Sequence, residues 1–150
     1  MPSYARIGVN FAVSSGKAHI ESKFGGEPEN PRTLGWRKVE THSGFRSEAM
    51  GSRIGWADKE AIYIDPGACL SIVKAIASSL DNHLGSSQLA IGKSLREAGL
   101  LTQYEKGRNT AKISILGHRP NVFALRISDI FELDGSTVNP IGYSDDDLPF

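Results

Sequence analysis

The sequence predicts an α+β fold, in which strands dominate the first half and helices open the second half. The clearest strand pattern is Ala61-Ile62-Tyr63-Ile64, which ends at the turn sequence Asp65-Pro66-Gly67. Apolar residues then recur at helical spacing from about residue 67 to residue 82. Two extended runs, at residues 112–116 and 122–127, follow a second helical stretch. Strands, two helices and a hairpin together indicate a mixed fold.

The first 65 residues predict mainly extended structure. Residues 18–24 allow one or two helical turns before Gly25-Gly26, and residues 27–32, with two prolines, predict a loop. Residues 34–46 and 52–65 predict extended, turn-rich chain. A first strand is predicted near the N-terminus because apolar residues occupy alternate positions there: Ile7, Val9, Phe11 and Val13.

Two amphipathic helices are predicted in the second half. The first covers about residues 67–82, and residues 82–85 form a short turn. Ser86 or Ser87 then caps a second helix, because a serine hydroxyl accepts hydrogen bonds from free backbone N–H groups. This helix runs to about Ala98 and ends at Gly99. Its apolar positions are Leu89, Ile91 and Leu95, and its solvent-facing positions are Gln88, Lys93 and Arg96.

The order of elements predicts a winged helix-turn-helix domain. Helix, turn and helix are followed by a basic two-stranded hairpin, whose strands are joined by residues 117–121. We therefore expect an N-terminal extended or β-rich segment over residues 1–42 and a winged-helix-like core over residues 43–134. A flexible, disordered acidic tail is expected over residues 135–150, since its Gly, Ser, Asn and Pro residues have little to bury.

The charges are unevenly distributed along the chain. The 17 basic and 17 acidic residues cancel, but residues 1–128 hold all 17 bases against 11 acids, a net charge of +6. Residues 129–150 hold the other six acids and no base. A basic body suits phosphate binding, although an ordinary solvated surface is the alternative.

No catalytic, metal or cofactor site is expected. The four histidines are scattered, and the single cysteine, Cys69, lies in an apolar periodic stretch and is expected in the core. One cysteine cannot form an internal disulfide, which favours a reducing cytoplasm. No run of 18 apolar residues and no signal-peptide pattern is present, so we expect a cytoplasmic protein that is not an enzyme.

The end of the chain has the most specific pattern. Asp145-Asp146-Asp147-Leu148-Pro149-Phe150 places a phenylalanine and its α-carboxylate after a proline and an anionic run. This tip closely resembles the C-terminal peptide of bacterial and phage single-stranded-DNA-binding proteins. The resemblance implies that these six residues bind host replication and repair enzymes; an acidic solubilising tail is the alternative.

A second resemblance covers roughly residues 43–127. Three runs carry it: Ser43-Gly44-Phe45-Arg46, Ala61-Ile62-Tyr63-Ile64-Asp65-Pro66 and Ser94-Leu95-Arg96-Glu97-Ala98-Gly99-Leu100-Leu101. They resemble the C-terminal winged-helix region of helicase-like ATPases from phages and integrative elements. This resemblance implies a winged-helix fold and a mobile-element setting, and it transfers no catalytic residue.

The predicted DNA contacts lie on the second helix and on the hairpin with its lead-in. Lys93 and Arg96 are three residues apart, on neighbouring parts of one helix face. Aromatic rings can also stack on bases: Trp36, Phe45 and Trp56 are candidates that we expect in the core instead, whereas Tyr104 is expected to be exposed. The full predicted DNA-binding set is Ser87, Gln88, Lys93, Arg96, Tyr104, Lys106, Arg108, Lys112 and Arg119.

The expected function is binding of DNA, with single strands favoured, in phage or mobile-element replication or recombination. The tip would recruit partner enzymes. The alternative is an accessory winged-helix domain of a mobile-element primase or helicase that acts mainly through protein contacts. The oligomeric state is left open.

Overall fold

The computed structural model describes residues 4–79 and 87–131, and these contain helices and β-sheets, which confirms the α+β prediction. The helices are α1 (Tyr4–Ser14), α2 (Pro66–Ser79), α3 (Gln88–Glu97) and the short α4 (Ile127–Ile130). The strands are β1 (Ala18–Ser22), β2 (Trp36–Thr41), β3 (Gly44–Ala49), β4 (Ser52–Ala57), β5 (Ala61–Ile64), β6 (Leu101–Gln103), β7 (Ala111–Lys112) and β8 (Asn121–Arg126).

The first segment is a helix, so the predicted N-terminal strand is wrong. Residues Ala5, Val9, Ala12 and Val13 recur at helical spacing and are all buried. Two residues of the apolar alternation, Ile7 and Phe11, point to solvent. The sequence satisfies both periods over this stretch, and packing of α1 against α2 selects the helix.

Residues 18–22 form strand β1, so the predicted helical turns over residues 18–24 are also wrong. β1 pairs in parallel with β4, and its residues Ala18 and Ile20 are buried in the core. The pairing satisfies the backbone of a segment too short for a stable isolated helix. The predicted loop over residues 27–32 is confirmed, since it contains neither helix nor strand.

The main sheet has the strand order β1-β4-β5-β8-β6, with β7 pairing with the start of β8. Every pair except β1–β4 is antiparallel. The predicted extended regions are confirmed, and β5 has the bounds that the sequence predicts. Strands β2 and β3 form a separate hairpin. The boundary placed after residue 42 falls in the turn of this hairpin, and α1 and β1 belong to the same buried core as β5 and β8.

The two faces of the main sheet have different surroundings. Ile62, Ile64 and Phe123 lie in the main core, which also contains buried residues of α1, α2 and α3. Tyr63 and Ala124 belong to a smaller cluster with Val122, Trp56, Ala61 and Ile113. The helices therefore cover one side of the sheet. The smaller cluster, which includes Val122 and Ile113 of the hairpin region, lies on the other side.

The two predicted helices are confirmed where the structure describes them. Ser87 caps α3 by accepting a hydrogen bond from the N–H of Ala90, and Gly99 follows the helix with a φ of +73°. Ile91 and Leu95 are buried, whereas Leu89 is 64% exposed, so its predicted core position is wrong. The turn predicted at residues 82–85 lies outside the described residues.

The hairpin differs in detail from its prediction. The first strand, β7, has only two residues, and the second, β8, ends at Arg126 because Ile127 begins α4. Strand β6, which precedes the lead-in and pairs with β8 in antiparallel fashion, was not predicted from the sequence. The acidic tail over residues 135–150 lies outside the part of the chain that the structure describes. In that part, none of the helices has the length and apolar character needed to cross a bilayer.

Candidate nucleic-acid interface

Helix α3 presents a polar face with two exposed cations, Lys93 and Arg96. Its buried residues Ile91 and Leu95 fix the rotation of the helix against the sheet. Gln88, Lys93 and Arg96 consequently point to solvent, as predicted. Lys93 and Arg96 lie one turn apart on this face, a spacing that allows both to contact one phosphate backbone.

The lead-in between β6 and β7 is a compact turn. Its ends are joined by a hydrogen bond from the Glu105 N–H to the Thr110 carbonyl, 2.8 Å long. Tyr104, Lys106 and Arg108 are all exposed, which confirms the expectation of an exposed ring at Tyr104. Arg108 lies 3.9 Å from the carboxylate of Glu105, an exposed pair that water screens strongly.

Asn109 connects this turn to α3. It is 4% exposed, and its side-chain oxygen accepts a 3.1 Å hydrogen bond from the guanidinium of Arg96. Asn109 has a φ of +63°, a region that asparagine tolerates better than most residues. The bond restricts Arg96 and joins helix and turn into one surface. Asn109 is not among the site residues predicted from the sequence; the turn composition Gly107-Arg108-Asn109 is the signal that marks it.

The β7–β8 hairpin supplies the remaining predicted cations. Lys112 on β7 and Arg119 in the connection are exposed. Residues 106–128 contain five Lys or Arg residues and no Asp or Glu, so the hairpin and its lead-in form a basic region. Ser87, by contrast, uses its hydroxyl in the cap of α3.

The aromatic candidates in the first half have different environments. Phe45 is 70% exposed on the β2–β3 hairpin, so the expectation that it lies in the core is wrong. Trp36 and Trp56 are half-buried. The indole N–H of Trp36 donates to the Ile20 carbonyl over 3.0 Å, and the guanidinium of Arg53 lies 4.9 Å from the Trp56 ring centre. Both tryptophans are therefore held by neighbours.

A polar pair beside β5 has a structural role. The Tyr63 hydroxyl donates to Asp58, which also accepts from the N–H groups of Glu60 and Ala61. Burial alone would raise the pKa of Asp58, but these bonds and the ammonium of Lys23 hold it below its usual value. Burial and the Asp58 carboxylate raise the pKa of Tyr63. The pair fixes the turn between β4 and β5.

Cys69 is buried, as the sequence predicts, and burial together with the Asp65 carboxylate raises the pKa of its thiol to about 12. Such a thiol is protonated at neutral pH and is a poor nucleophile. Within residues 4–79 and 87–131, no three His, Cys, Asp or Glu side chains are grouped as metal ligands would be.

A groove of about 930 Å³ lies between the end of α1 and the β2–β3 hairpin. Arg32, Arg37 and Lys38 line it together with Glu27 and Glu29. Because cations and carboxylates both line this groove, it favours an anionic ligand less than residues 106–128 do, which contain no acid.

Comparison with known proteins adds no relative. No family model, no curated protein and no solved structure matches this chain. The six residues of the predicted partner-binding tip, Asp145 to Phe150, lie outside the described residues.

Proposed function

We propose that this protein binds DNA, with single strands favoured, in phage or mobile-element replication or recombination, and recruits partner enzymes through Asp145–Phe150. The observation that carries the proposal is the group of exposed cations on α3 and in residues 106–128, since the Arg96–Asn109 hydrogen bond joins α3 to the turn before β7. It combines cations on a rigid helix with cations on a hairpin that shares strand β8 with the core. No enzyme activity is included.

The strand order supports a winged-helix assignment for the core. Strand β5 precedes α2 and α3, β6 and β8 follow them, and the three strands lie in the order β5-β8-β6. A winged helix needs a helical pair followed by a hairpin that returns to the sheet, and this order is compatible with it. In such a domain α3 is the recognition helix and residues 104–120 form the wing. Helix α1, packed on α2, completes the helical layer.

The charge distribution supports a phosphate-bearing ligand. Lys93, Lys112 and Arg119 are exposed and form no ion pair among the side chains that the structure describes. Cations without internal partners remain available to phosphates, and each contact releases counterions when it forms. Tyr104, exposed beside Lys106, adds a ring that can stack on an unpaired base.

A salt titration with labelled single-stranded and double-stranded oligonucleotides tests the proposal. We expect binding at low salt that weakens steeply as salt rises, and a higher affinity for single strands. Absence of binding to either form at low salt would overturn the proposal. Equal affinity for both forms would remove the single-strand preference while retaining DNA binding.

One observation favours the alternative, an accessory domain that acts through protein contacts. Leu89 is 64% exposed in the first turn of α3, the proposed recognition helix. An exposed leucine at this position suits a protein partner better than a phosphate backbone. Stimulation of a mobile-element ATPase by the intact chain, without DNA affinity of its own, would support this alternative.

A further inference from the structure

Two large apolar side chains are exposed on segments that approach each other, the loop after β1 and the turn of the β7–β8 hairpin. Phe24, in the loop after β1, is 77% exposed, and Leu116 is 57% exposed. The loop and the turn are in contact range, because a Cβ atom placed on Gly25 would lie 3.7 Å from a methyl group of Leu116. We call Phe24 and Leu116 the apolar tip. Neither residue belongs to the predicted DNA-binding set.

The backbone at Leu116 is unfavourable for leucine. Ile115 and His118 exchange two backbone hydrogen bonds of 2.8 and 2.9 Å, which leaves Leu116 and Gly117 as a two-residue turn. Their φ values are +49° and +84°. Turns with two left-handed residues favour asparagine or glycine at the first position, and a bulky residue there is a real outlier. Leu116 is largely exposed, so it buries little apolar area on folding, and its backbone conformation is unfavourable for leucine. A residue kept at such a cost indicates a role in binding.

The charges around the apolar tip differ between its two sides. On the hairpin side, His118 and Arg119 are exposed directly after the turn, within the stretch of residues 106–128 that has no acid. On the other side, Phe24 borders a groove of about 600 Å³ with more carboxylates than cations. That groove is lined by Glu27, Glu29, Asp58 and Glu60, together with Lys23 and Lys59. A phosphate backbone is therefore attracted to the hairpin side and repelled from the groove.

We infer that the apolar tip contacts an exposed base face at the junction between double-stranded and single-stranded DNA. This inference rests on the proposed function. In an intact duplex both faces of every internal base are stacked, whereas a junction exposes the face of the terminal pair and the first unpaired base. Apolar side chains insert at such positions, and base stacking supplies affinity there. Because the apolar tip has cations only on its hairpin side, it can hold the phosphate backbone of one of the two strands that leave the junction.

The two side chains have complementary roles in this contact. Leu116 projects from a hairpin turn whose backbone is fixed by hydrogen bonds on both sides, so its position is well defined. Phe24 supplies the aromatic surface, and the ammonium of Lys23 lies 5.7 Å from its ring centre.

The substitution Leu116→Asn separates apolar contact from turn structure. Asparagine tolerates a positive φ, so the turn is kept and the melting temperature should equal or exceed that of the wild type. With a forked DNA carrying the fluorescent base 2-aminopurine at the first unpaired position, wild-type binding should change the fluorescence. We expect Leu116→Asn to bind this fork about five- to tenfold more weakly and to lose most of the fluorescence change. Its affinity for closed circular duplex, which exposes no base face at an end, should be unchanged.

Phe24→Ala provides a second variant with a matched control. It should weaken fork binding to a similar extent. The control is Phe45→Ala, which removes a comparably exposed ring from the β2–β3 hairpin and should leave fork binding unchanged. If the wild type binds DNA and both Leu116→Asn and Phe24→Ala keep wild-type fork affinity and fluorescence, the inference is overturned and the proposed function stands. If wild type binds no DNA, the proposed function fails first. A wild-type dimer that Leu116→Asn converts to monomer in sedimentation would make the tip a self-association surface, which also overturns the inference.

Discussion

Gly92 and Asn109 are packed so closely that residue 92 has no space for a side chain. A Cβ atom on Gly92 would lie 2.9 Å from the Cβ of Asn109 and 3.2 Å from the ring of Phe123. Both neighbours are buried, and Asn109 is additionally held by Arg96. The absence of a side chain at position 92 thus allows the lead-in of the hairpin to lie against α3.

Gly92→Ala should destabilise the protein by about 1–3 kcal/mol, because the new methyl group meets a Cβ atom that cannot rotate away. Alanine at a free helix position would stabilise by up to about 1 kcal/mol, so the sign of the effect is diagnostic. Urea denaturation measures it. Ser94→Ala, exposed on the same helix, is the control and should change stability by no more than about 0.5 kcal/mol. Equal stability of Gly92→Ala and wild type would contradict the close packing.

Removing single cations from the proposed interface should flatten the salt dependence of DNA binding. Lys93→Ala, Lys112→Ala and Arg119→Ala should each lower the slope of log affinity against log salt by about one unit. The reason is that each contact with a phosphate releases about one counterion. The control is Lys59→Ala, an exposed lysine between β4 and β5 that borders the carboxylate-lined groove. Similar losses in Lys59→Ala would mean that net charge, not this surface, determines binding.

The Cys69 thiol should be unreactive in the native protein and should make stability fall in alkaline solution. Burial raises its pKa to about 12, so the folded chain keeps a proton that the unfolded chain loses near pH 9. Stability is therefore full below pH 9 and is lost as the pH rises toward 12, by about 1.4 kcal/mol for each unit of pKa difference.

Iodoacetamide labelling at pH 8 checks the first part of this prediction, with labelling in urea as the positive control. Denaturation of wild type and Cys69→Ala at pH 8 and pH 10 checks the second, since the variant should lose less stability between the two values. Rapid labelling of the folded protein would show that the thiol is accessible.

Deleting Phe150 should abolish capture of enzymes that recognise single-stranded-DNA-binding protein tips. The deletion removes the ring and moves the α-carboxylate onto proline, while the aspartates that steer association remain. DNA affinity should stay within about twofold, because the cations of α3 and the hairpin are untouched. Pull-down and fluorescence anisotropy measure the two properties.

A chain with the six tip residues in scrambled order is the matched control for that deletion, since it keeps length and charge. It should also fail to capture the enzymes. Retention of the same enzymes by the Phe150 deletion would show that the tip has no part in recruitment.

The sequence by itself determined the helices and strands in which the spacing of apolar residues fits only one kind of element. Strand β5 is a short β-branched and aromatic run with a turn signal behind it, and α2 and α3 have apolar stripes. Helix α3 also has a serine cap and a glycine after its end. The sequence also indicated that Lys112 and Arg119 are available, because neither has an acidic residue within four positions on either side. Local chemistry was sufficient for these features.

Tertiary structure alone decided the features in which two distant segments meet. Residues 4–14 satisfy both the strand and the helix period, and contact with α2 selects the helix. Residues 18–22 become a strand because β4, more than 30 positions later, offers a parallel partner. The Gly92–Asn109 contact and the apolar tip of Phe24 and Leu116 join segments that no spacing rule connects. Pairing and packing energies between remote segments exceed local propensity, so such features appear only when the chain is folded.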